Sequence, residues 1–504
     1  MTPGVLLDAL AVRDPQAVVL QGADAAWTAS VIRDAMAQLA ALLQKDAGIV
    51  GGKAGVLAIL ADNSPAWVIA DLVVLQAGVP HLPLPGFFSP AQMVHALQQT
   101  GTTMLLTDQP ARIAALDLDF VPVGEWCGLV LLRRDVQAVP LPAGTAKISF
   151  TSGSTGAPKG VCLSATGLLE TAAAVAKRLS GVRLERHLAV LPLALLLENV
   201  AGVHASLLQG STIHLPPLST LGWQGMAGFD PAALHHSVTA RHATSVILVP
   251  ELLKAWTLYL GKVGAGAPAD LVYAAVGGAK VDKDLLQQAR AFGLPAYQGY
   301  GLTECGSVVS LNRLGDDGEE GADAGRPLDH VRIRIDAAGE IHVMANAFLG
   351  YLNEVPVAMG SEYATGDLGE WAEQQHLCLS GRRKHLLINS YGRNISPEWV
   401  EAALLAEPDI AQALVTGEGR PWLAALLVPT PGSDGDALAA AVRRVNQGLP
   451  DYARITGWVM VPPFTTANGL ATGNGRPVRA NILKEYHAAL AALYAEKELA
   501  DVVL

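Results

Sequence analysis

Ten consecutive residues, Thr151-Ser152-Gly153-Ser154-Thr155-Gly156-Ala157-Pro158-Lys159-Gly160, combine four hydroxyl side chains, three glycines and one lysine. Glycine lets the backbone approach a ligand and turn its N–H groups inward. The hydroxyls add donors, and Lys159 adds a positive charge. This is the chemistry of a polyphosphate cradle. It is not the common P-loop, which needs G-x-x-x-x-G-K-[ST] before a helix. Here the lysine follows a proline, and Gly160-Val161-Cys162-Leu163 reads as a strand.

Three further blocks carry chemistry. Val276-Gly277-Gly278-Ala279 ends a strand in a glycine turn that can lay backbone against a flat base. Tyr297-Gln298-Gly299-Tyr300-Gly301-Leu302-Thr303-Glu304-Cys305-Gly306 sets glycines around a ring, a hydroxyl and a carboxylate. A ring can stack on adenine, a hydroxyl can bond a phosphate oxygen, and a carboxylate can hold Mg²⁺, a hard cation that prefers oxygen. Asp367 stands on a glycine turn in Tyr363-Ala364-Thr365-Gly366-Asp367-Leu368-Gly369, where a carboxylate can accept from ribose hydroxyls. Other residues invite attention and do not earn it. His235, His236 and His242 lack a neighbouring Cys or Asp cluster and make a poor zinc set. Cys305 has no evident base beside it.

The elements that must position these blocks are legible as apolar runs of strand length between helical patterns. Gly55–Leu60, Thr103–Thr107, Leu129–Leu132, Ser245–Val249 and Leu271–Val276 read as buried strands. Ser64 is expected to cap a helix that begins at Pro65, and Pro250 opens a helix running through Trp256. This alternation predicts an α/β protein with mostly parallel sheets flanked by helices. Val331–Ile335 and Glu340–Met344 read as short antiparallel strands. A Ser396 cap opens a further helix, followed by strands at Asp409–Thr416 and Pro421–Val428 and a helix from Asp434. These describe a separate small α+β unit. The boundary is placed at the polar crossing Gly381 to His385, giving domains of 1–381 and 382–504.

Bulk properties bound the function. The 504 residues exceed one ordinary core. Apolar residues make up 51% and charged residues 16%, so a large core can form. The net charge of −11 and the lack of a long basic run argue against nucleic-acid binding. Cys127, Cys162, Cys305 and Cys378 lie far apart, as reduced thiols of a cytoplasmic enzyme would. The first residues carry no basic region of a signal peptide. Leu188–Leu197 contains Pro192, runs into Glu198 and is too short to span a bilayer, so peripheral membrane contact is the most expected.

Taken in order, these blocks resemble those of adenylate-forming enzymes: acyl-CoA synthetases, luciferase-like ligases and peptide-synthetase adenylation domains. The resemblance runs from about residue 20 to 490. It is nearest the fatty acyl-CoA synthetases through Ser396-Pro397-Glu398-Trp399-Val400-Glu401 and Asn468-Gly469-Leu470-Ala471-Thr472. It implies ATP- and Mg²⁺-dependent conversion of a carboxylic acid to acyl-AMP and pyrophosphate, then transfer to a thiol, that of CoA or of a carrier protein. The acid is ionised at neutral pH, so the first step needs positioning and charge neutralisation and no general base. By this resemblance Thr151, Ser152, Gly153, Ser154, Thr155, Gly156 and Lys159 would handle the β- and γ-phosphates. Gly277, Gly278, Ala279, Tyr300 and Gly301 would frame adenine, Thr303 would touch the α-phosphate and Glu304 would hold Mg²⁺. Asp367 and Arg382 would grip the ribose. Lys384 would be the hinge of a mobile C-terminal domain, and Gly392 and Arg393 would line the thiol channel.

An apolar acid needs an apolar tunnel, for which Leu195, Leu196, Val249 and Leu253 are the candidates. Two departures from the family pattern stand out. The segment Leu191–Val200 has leucines where relatives commonly carry a histidine or aromatic ring. Arg476 occupies the place of the lysine that bridges carboxylate and α-phosphate. Arginine keeps the charge, but its planar fork is not a point ammonium. Lys484 lies too far along to substitute. These departures leave a non-catalytic nucleotide or acyl-adenylate binder as the reading of a different class.

Overall fold

The computed structural model describes residues 4–47, 55–151, 158–224, 228–315, 323–390, 393–472 and 475–502. Among these, the large N-terminal domain holds a nine-stranded and an eight-stranded sheet. The nine-stranded sheet runs in space Arg326–Pro327, Ser307–Leu311, Ala296–Leu302, Tyr273–Val276, Ser245–Leu248, Arg186–Leu188, Thr212–His214, Val18–Gln21, Ala26–Thr28. Its centre is parallel and its flanks are antiparallel. The eight-stranded sheet follows the same plan: strands around Val56–Leu60 are parallel, while Thr145–Thr151 pairs antiparallel with Lys159–Ser164. The sheets are therefore mixed, because short hairpins close each parallel centre at its edges.

Two helices lie between the sheets. Pro65–Ala77 is buried from Pro65 to Leu75 and packs against Leu57, Ile59 and Leu106 of one sheet and Val19, Leu20 and Ile213 of the other. Its start is the one expected: Ser64 accepts the Trp67 N–H at 3.3 Å and Pro65 takes the first turn. Ala165–Arg178 fills the second position, with Leu168 and Ala172 facing Val161 and Leu163, and Val175 facing Tyr273.

An antiparallel sheet of Arg332–Ile335, Glu340–Met344, Glu362–Trp371 and Leu377–Arg382 extends the large domain. A tight turn at Arg383–His385 then leads into the small domain, where Lys384 is exposed. There Ile410–Thr416, Leu423–Pro429 and Ile455–Met460 form a three-stranded sheet. Helices Pro397–Ala406 and Gly435–Gly448 cover one face, and Ile482, Leu490 and Tyr494 of the C-terminal helices cover the other. Ser396 occupies the cap position of its helix but does not cap it. Its hydroxyl is turned to donate to the Glu398 carboxylate at 3.1 Å, a charge-assisted bond, and its oxygen accepts no N–H of the helix. No helix among the described residues is long and apolar enough to cross a membrane.

Candidate active site

The hairpin of Thr145–Thr151 and Lys159–Ser164 sets Thr151 directly opposite Lys159. Ser152, Gly153, Ser154, Thr155 and Gly156, at its tip, lie outside the described residues. Lys159 Nζ is 3.1 Å from Glu354 Oε1 and 5.0 Å from the centre of the Tyr351 ring. Both charged side chains are about half exposed, so the pair is weakly held and can give way to a more highly charged anion.

Tyr351 also donates to Glu304 Oε1 at 2.9 Å and meets the Tyr363 hydroxyl at 2.9 Å. Burial pushes the Tyr351 phenol up, with help from the Tyr363 hydrogen bond and the Glu304 charge. Tyr363 is pushed up to about 12 by burial and then by Glu304. Both phenols stay protonated and can only steady the carboxylate. Glu304 sits on a tight turn, Thr303–Cys305, directly after the strand Ala296–Leu302. A Cβ on Gly301 would lie 1.7 Å from Ser307 O, so only glycine permits the bulge that throws this turn outward. Ser307, paired with Leu302 on the facing strand, has φ 111°, a conformation rare for a side-chain-bearing residue. The half-buried Glu304 carboxylate and neighbouring Thr303 hydroxyl are oxygen donors that suit a hard divalent cation. Cys305 is buried, and burial followed by the Glu304 charge pushes its thiol up, away from nucleophilic use.

The strand Glu362–Trp371 links this cluster to a second one. Its Tyr363 faces Glu304, and its Asp367, buried, accepts from Tyr300 OH at 2.7 Å. Arg382 Nε, in register with Asp367 on the next strand, is 2.8 Å from the other carboxylate oxygen. Burial and then the Asp367 charge push the Tyr300 phenol up, so it remains a donor.

Arg476 reaches the same place from the small domain. It follows a turn in which its own N–H donates to Thr472 Oγ1 at 3.0 Å. Its guanidinium donates to the Gly278 carbonyl, across 198 residues of chain. The residue as a whole is exposed, but its guanidinium end lies against the large domain at Gly278. Desolvation, then the like charge of Arg382, lowers its pKa, while Glu251 and Asp367 oppose the shift. The adenine-turn, ribose-pair and small-domain candidates are thus neighbours in space.

The apolar candidates separate. Val249 Cγ1 is 3.6 Å from the Cβ position of Gly278, at the site. Leu195 is half-buried in the turn before the next helix. Leu196 packs on Val161, Leu163 and Phe348, and Leu253 is fully buried in the core around Trp256. Leu197 faces the site instead, 3.6 Å from the Cβ position of Gly277. Leu197–His204 is a π-helix, whose wider turn redirects side chains relative to an α-helical reading. Arg393 is exposed, and its N–H and carbonyl both bond Asn389 within the small domain. Gly392 lies outside the described residues. The structure does not bring Arg393 to the nucleotide residues. The rejected histidines have ordinary partners: His242 pairs with Asp270, and His235 packs on Trp256 and Tyr259.

Sequence reasoning missed two buried polar groups under the site. Glu198, on the π-helix, accepts from His187 Nε2 at 2.8 Å and from the Leu191 N–H at 2.9 Å, pinning the loop before Leu197. A Cβ on Gly202 would fall 2.2 Å from Glu198 Oε1 and 2.7 Å from His187 Nε2. Gly202→Ala is therefore expected to cost about 1–3 kcal/mol by overpacking, read as a lowered thermal midpoint; an unchanged midpoint would refute this packing. The second group is Asp71, which bonds His81, His204, Asn199 and Lys147, the last on the strand Thr145–Thr151. The only signal in the sequence was a charged or polar residue within an otherwise apolar run.

A model of AMP-binding enzymes matches residues 7–347, and one of the AMP-binding enzyme C-terminal domain matches 384–498. The chain is 26% identical to the 2-succinylbenzoate–CoA ligase of Bacillus subtilis over 73% of its own length and 76% of that protein's. It is 26% identical to a long-chain-fatty-acid–CoA ligase of Mycobacterium tuberculosis over 95% of each. In fold it is similar to the B. subtilis o-succinylbenzoate CoA synthetase solved with its acyl-adenylate (TM-score 0.75, 23% identity, 95% and 98% covered). It is likewise similar to an anthranilate CoA ligase solved with anthranoyl-AMP (TM-score 0.80, 17% identity, 97% and 98% covered). The family models match most of the chain, and the hairpin ending at Thr151 and Lys159 and the Tyr300–Asp367–Arg382 cluster lie within them; the chain belongs to the AMP-binding enzymes and is an adenylate-forming ligase.

Proposed function

We propose that the protein activates an apolar, fatty carboxylic acid with MgATP and transfers the acyl group to the thiol of CoA. The observation that carries this reading is the meeting of Arg476 with Gly278 beside the Asp367–Arg382 pair. A small-domain cation in this position supports the reading that it serves the meeting of an acid's carboxylate with the α-phosphate of ATP.

In this reading Thr151, Ser152, Ser154, Thr155 and Lys159 hold the β- and γ-phosphates, with Lys159 exchanging Glu354 for phosphate oxygen. Gly277–Ala279 and Tyr300 frame adenine, and Asp367 and Arg382 take the ribose hydroxyls. Thr303 donates to the α-phosphate. Glu304 would hold Mg²⁺, which neutralises phosphate charge when bound. The acid's carboxylate oxygen attacks the α-phosphorus and the bond to pyrophosphate breaks, while Arg476 neutralises charge on both partners. The CoA sulfur then attacks the acyl carbonyl and AMP leaves. Lys384 and the Arg383–His385 turn serve as the hinge, and the Gly392–Arg393 loop serves the second step after the small domain moves.

The fatty substrate is supported by the leucine-rich segment before the site and by the long-chain relative. Other relatives are named for 2-succinylbenzoate, oxalate and indoleacetate, so the test must span acid classes. Pyrophosphate release from MgATP is to be measured across saturated acids of rising length and across aryl acids, with and without CoA. Release that is specific to fatty acids and accelerated by CoA is expected. Preference for an aryl or short dicarboxylic acid would refute the fatty assignment. A single equivalent that ignores CoA would favour a carrier-protein thiol, and no release with any acid would favour a non-catalytic binder.

A further inference from the structure

The helix Pro250–Val263 starts at the site, where Val249 faces Gly278 and Glu251 lies in the field of Arg476. One turn on, Lys254 crosses to the small domain. Its Nζ donates to the carbonyls of Glu407 and Ile410, each at 2.6 Å. These carbonyls belong to the turn that ends the helix Pro397–Ala406 and opens the strand Ile410–Thr416, and the Ile410 N–H also reaches Glu407 O at 3.3 Å. Helix C-termini carry a partial negative charge, so an ammonium there is favourably placed. Ala406, beside the turn, packs against the large domain's core around Trp256. Burial lowers the Lys254 ammonium to about 8, against the pull of Glu407, Asp409 and Glu251. The Glu407 and Asp409 carboxylates are themselves engaged by Arg444.

We infer that Lys254 is a docking latch: it holds the small domain in the position that delivers Arg476 to the site, and so acts as a positioning residue for acyl-adenylate formation. The inference rests on the proposed function for its catalytic consequence but not for its geometry. Removing the ammonium takes a donor from both carbonyls in the docked position, a loss that water can make good only after undocking, so the balance moves toward release. The second half-reaction, which needs the domain to leave this position, does not depend on the latch.

Two measurements test this on the full chain. In a Cys127→Ser background, spin labels on Lys262→Cys and Asp436→Cys, both exposed positions on different domains, report interdomain distance by pulsed EPR without any acid. Lys254→Ala is expected to shift the population to longer distances, and Lys254→Arg to restore the short one. The acid with the strongest pyrophosphate release in the unaltered enzyme then serves for the half-reactions. Lys254→Ala is expected to lower acyl-adenylate formation by about tenfold or more, with transfer from supplied acyl-adenylate to CoA changed less than about twofold. Unchanged distances, or equal losses in both half-reactions, overturn the latch. Shifted distances in a chain that activates no acid leave the latch standing and overturn the functional reading alone.

Discussion

Arg476→Ala is expected to lower acyl-adenylate formation by about 10²–10³-fold, the scale seen when one preorganised charge-stabilising donor is removed. The guanidinium is the only small-domain side chain seen among the described residues to donate to the glycine turn at Gly278. Like charge from Arg382 already burdens it, so its attraction to an incoming anion is not offset locally by a tight ion pair. Transfer of a supplied acyl-adenylate to CoA should be nearly unaffected, because in the proposed cycle the small domain carries Arg476 away from the Gly278 turn before that step. Arg476→Lys separates two explanations. Near-complete recovery means that a point charge suffices, whereas a persistent tenfold or larger loss means that the planar, two-pronged donor matters. The measurement is single-turnover pyrophosphate release; an Arg476→Ala enzyme with unaltered release would sink the assignment.

The second large effect is on stability. Lys147→Met is expected to destabilise the large domain by about 3–5 kcal/mol, since it strands a buried carboxylate. Asp71 lies on the helix between the sheets, with Lys147 Nζ at 2.8 Å, His81 Nδ1 at 2.7 Å, His204 Nε2 at 2.9 Å and Asn199 Nδ2 at 2.9 Å. Lys147 also donates to Asn199. All of these side chains are buried. Burial alone would raise the Asp71 carboxyl, but Lys147, with hydrogen bonds from His204 and His81, holds it well below the usual carboxylate range. Burial lowers both imidazoles despite Asp71. The two effects have the same sign with pH. The neutral histidines cost stability as pH falls below about 6.5, where the unfolded chain takes up protons, and the Asp71 contribution is lost below about 4. A urea titration of Lys147→Met, Asp71→Ala and the double variant tests this. The double variant should lose less than the sum of the singles, and additive losses would mean that the pair is not coupled.

The network joins elements on either side of the candidate site. Lys147 is on the strand that ends at Thr151, and Asn199 and His204 are on the π-helix that begins at Leu197. One buried carboxylate thus ties the Thr145–Ser164 hairpin to the π-helix whose Leu197 faces the Gly277 turn.

The sequence by itself determined the order of the chemical blocks and the nature of the elements that carry them. The cap at Ser64, the strand after Lys159, the glycine turn at Gly277 and the turn at Thr303–Glu304 are all governed by a few neighbouring residues. Local backbone preference acts at that range, so it is written in short spacing. Tertiary structure decided what short spacing does not encode. Tyr351 joins Lys159 to Glu304, and Asp71 joins Lys147 to His204, through contacts between residues far apart in the chain. Leu197 faces the glycine turn in place of Leu195 and Leu196 because a π-helix, which runs on a wider turn, follows the loop that Glu198 pins. Arg476 finds Gly278 only because the small domain docks on the large one, and a docking equilibrium depends on the sum of two surfaces, not on any segment of either.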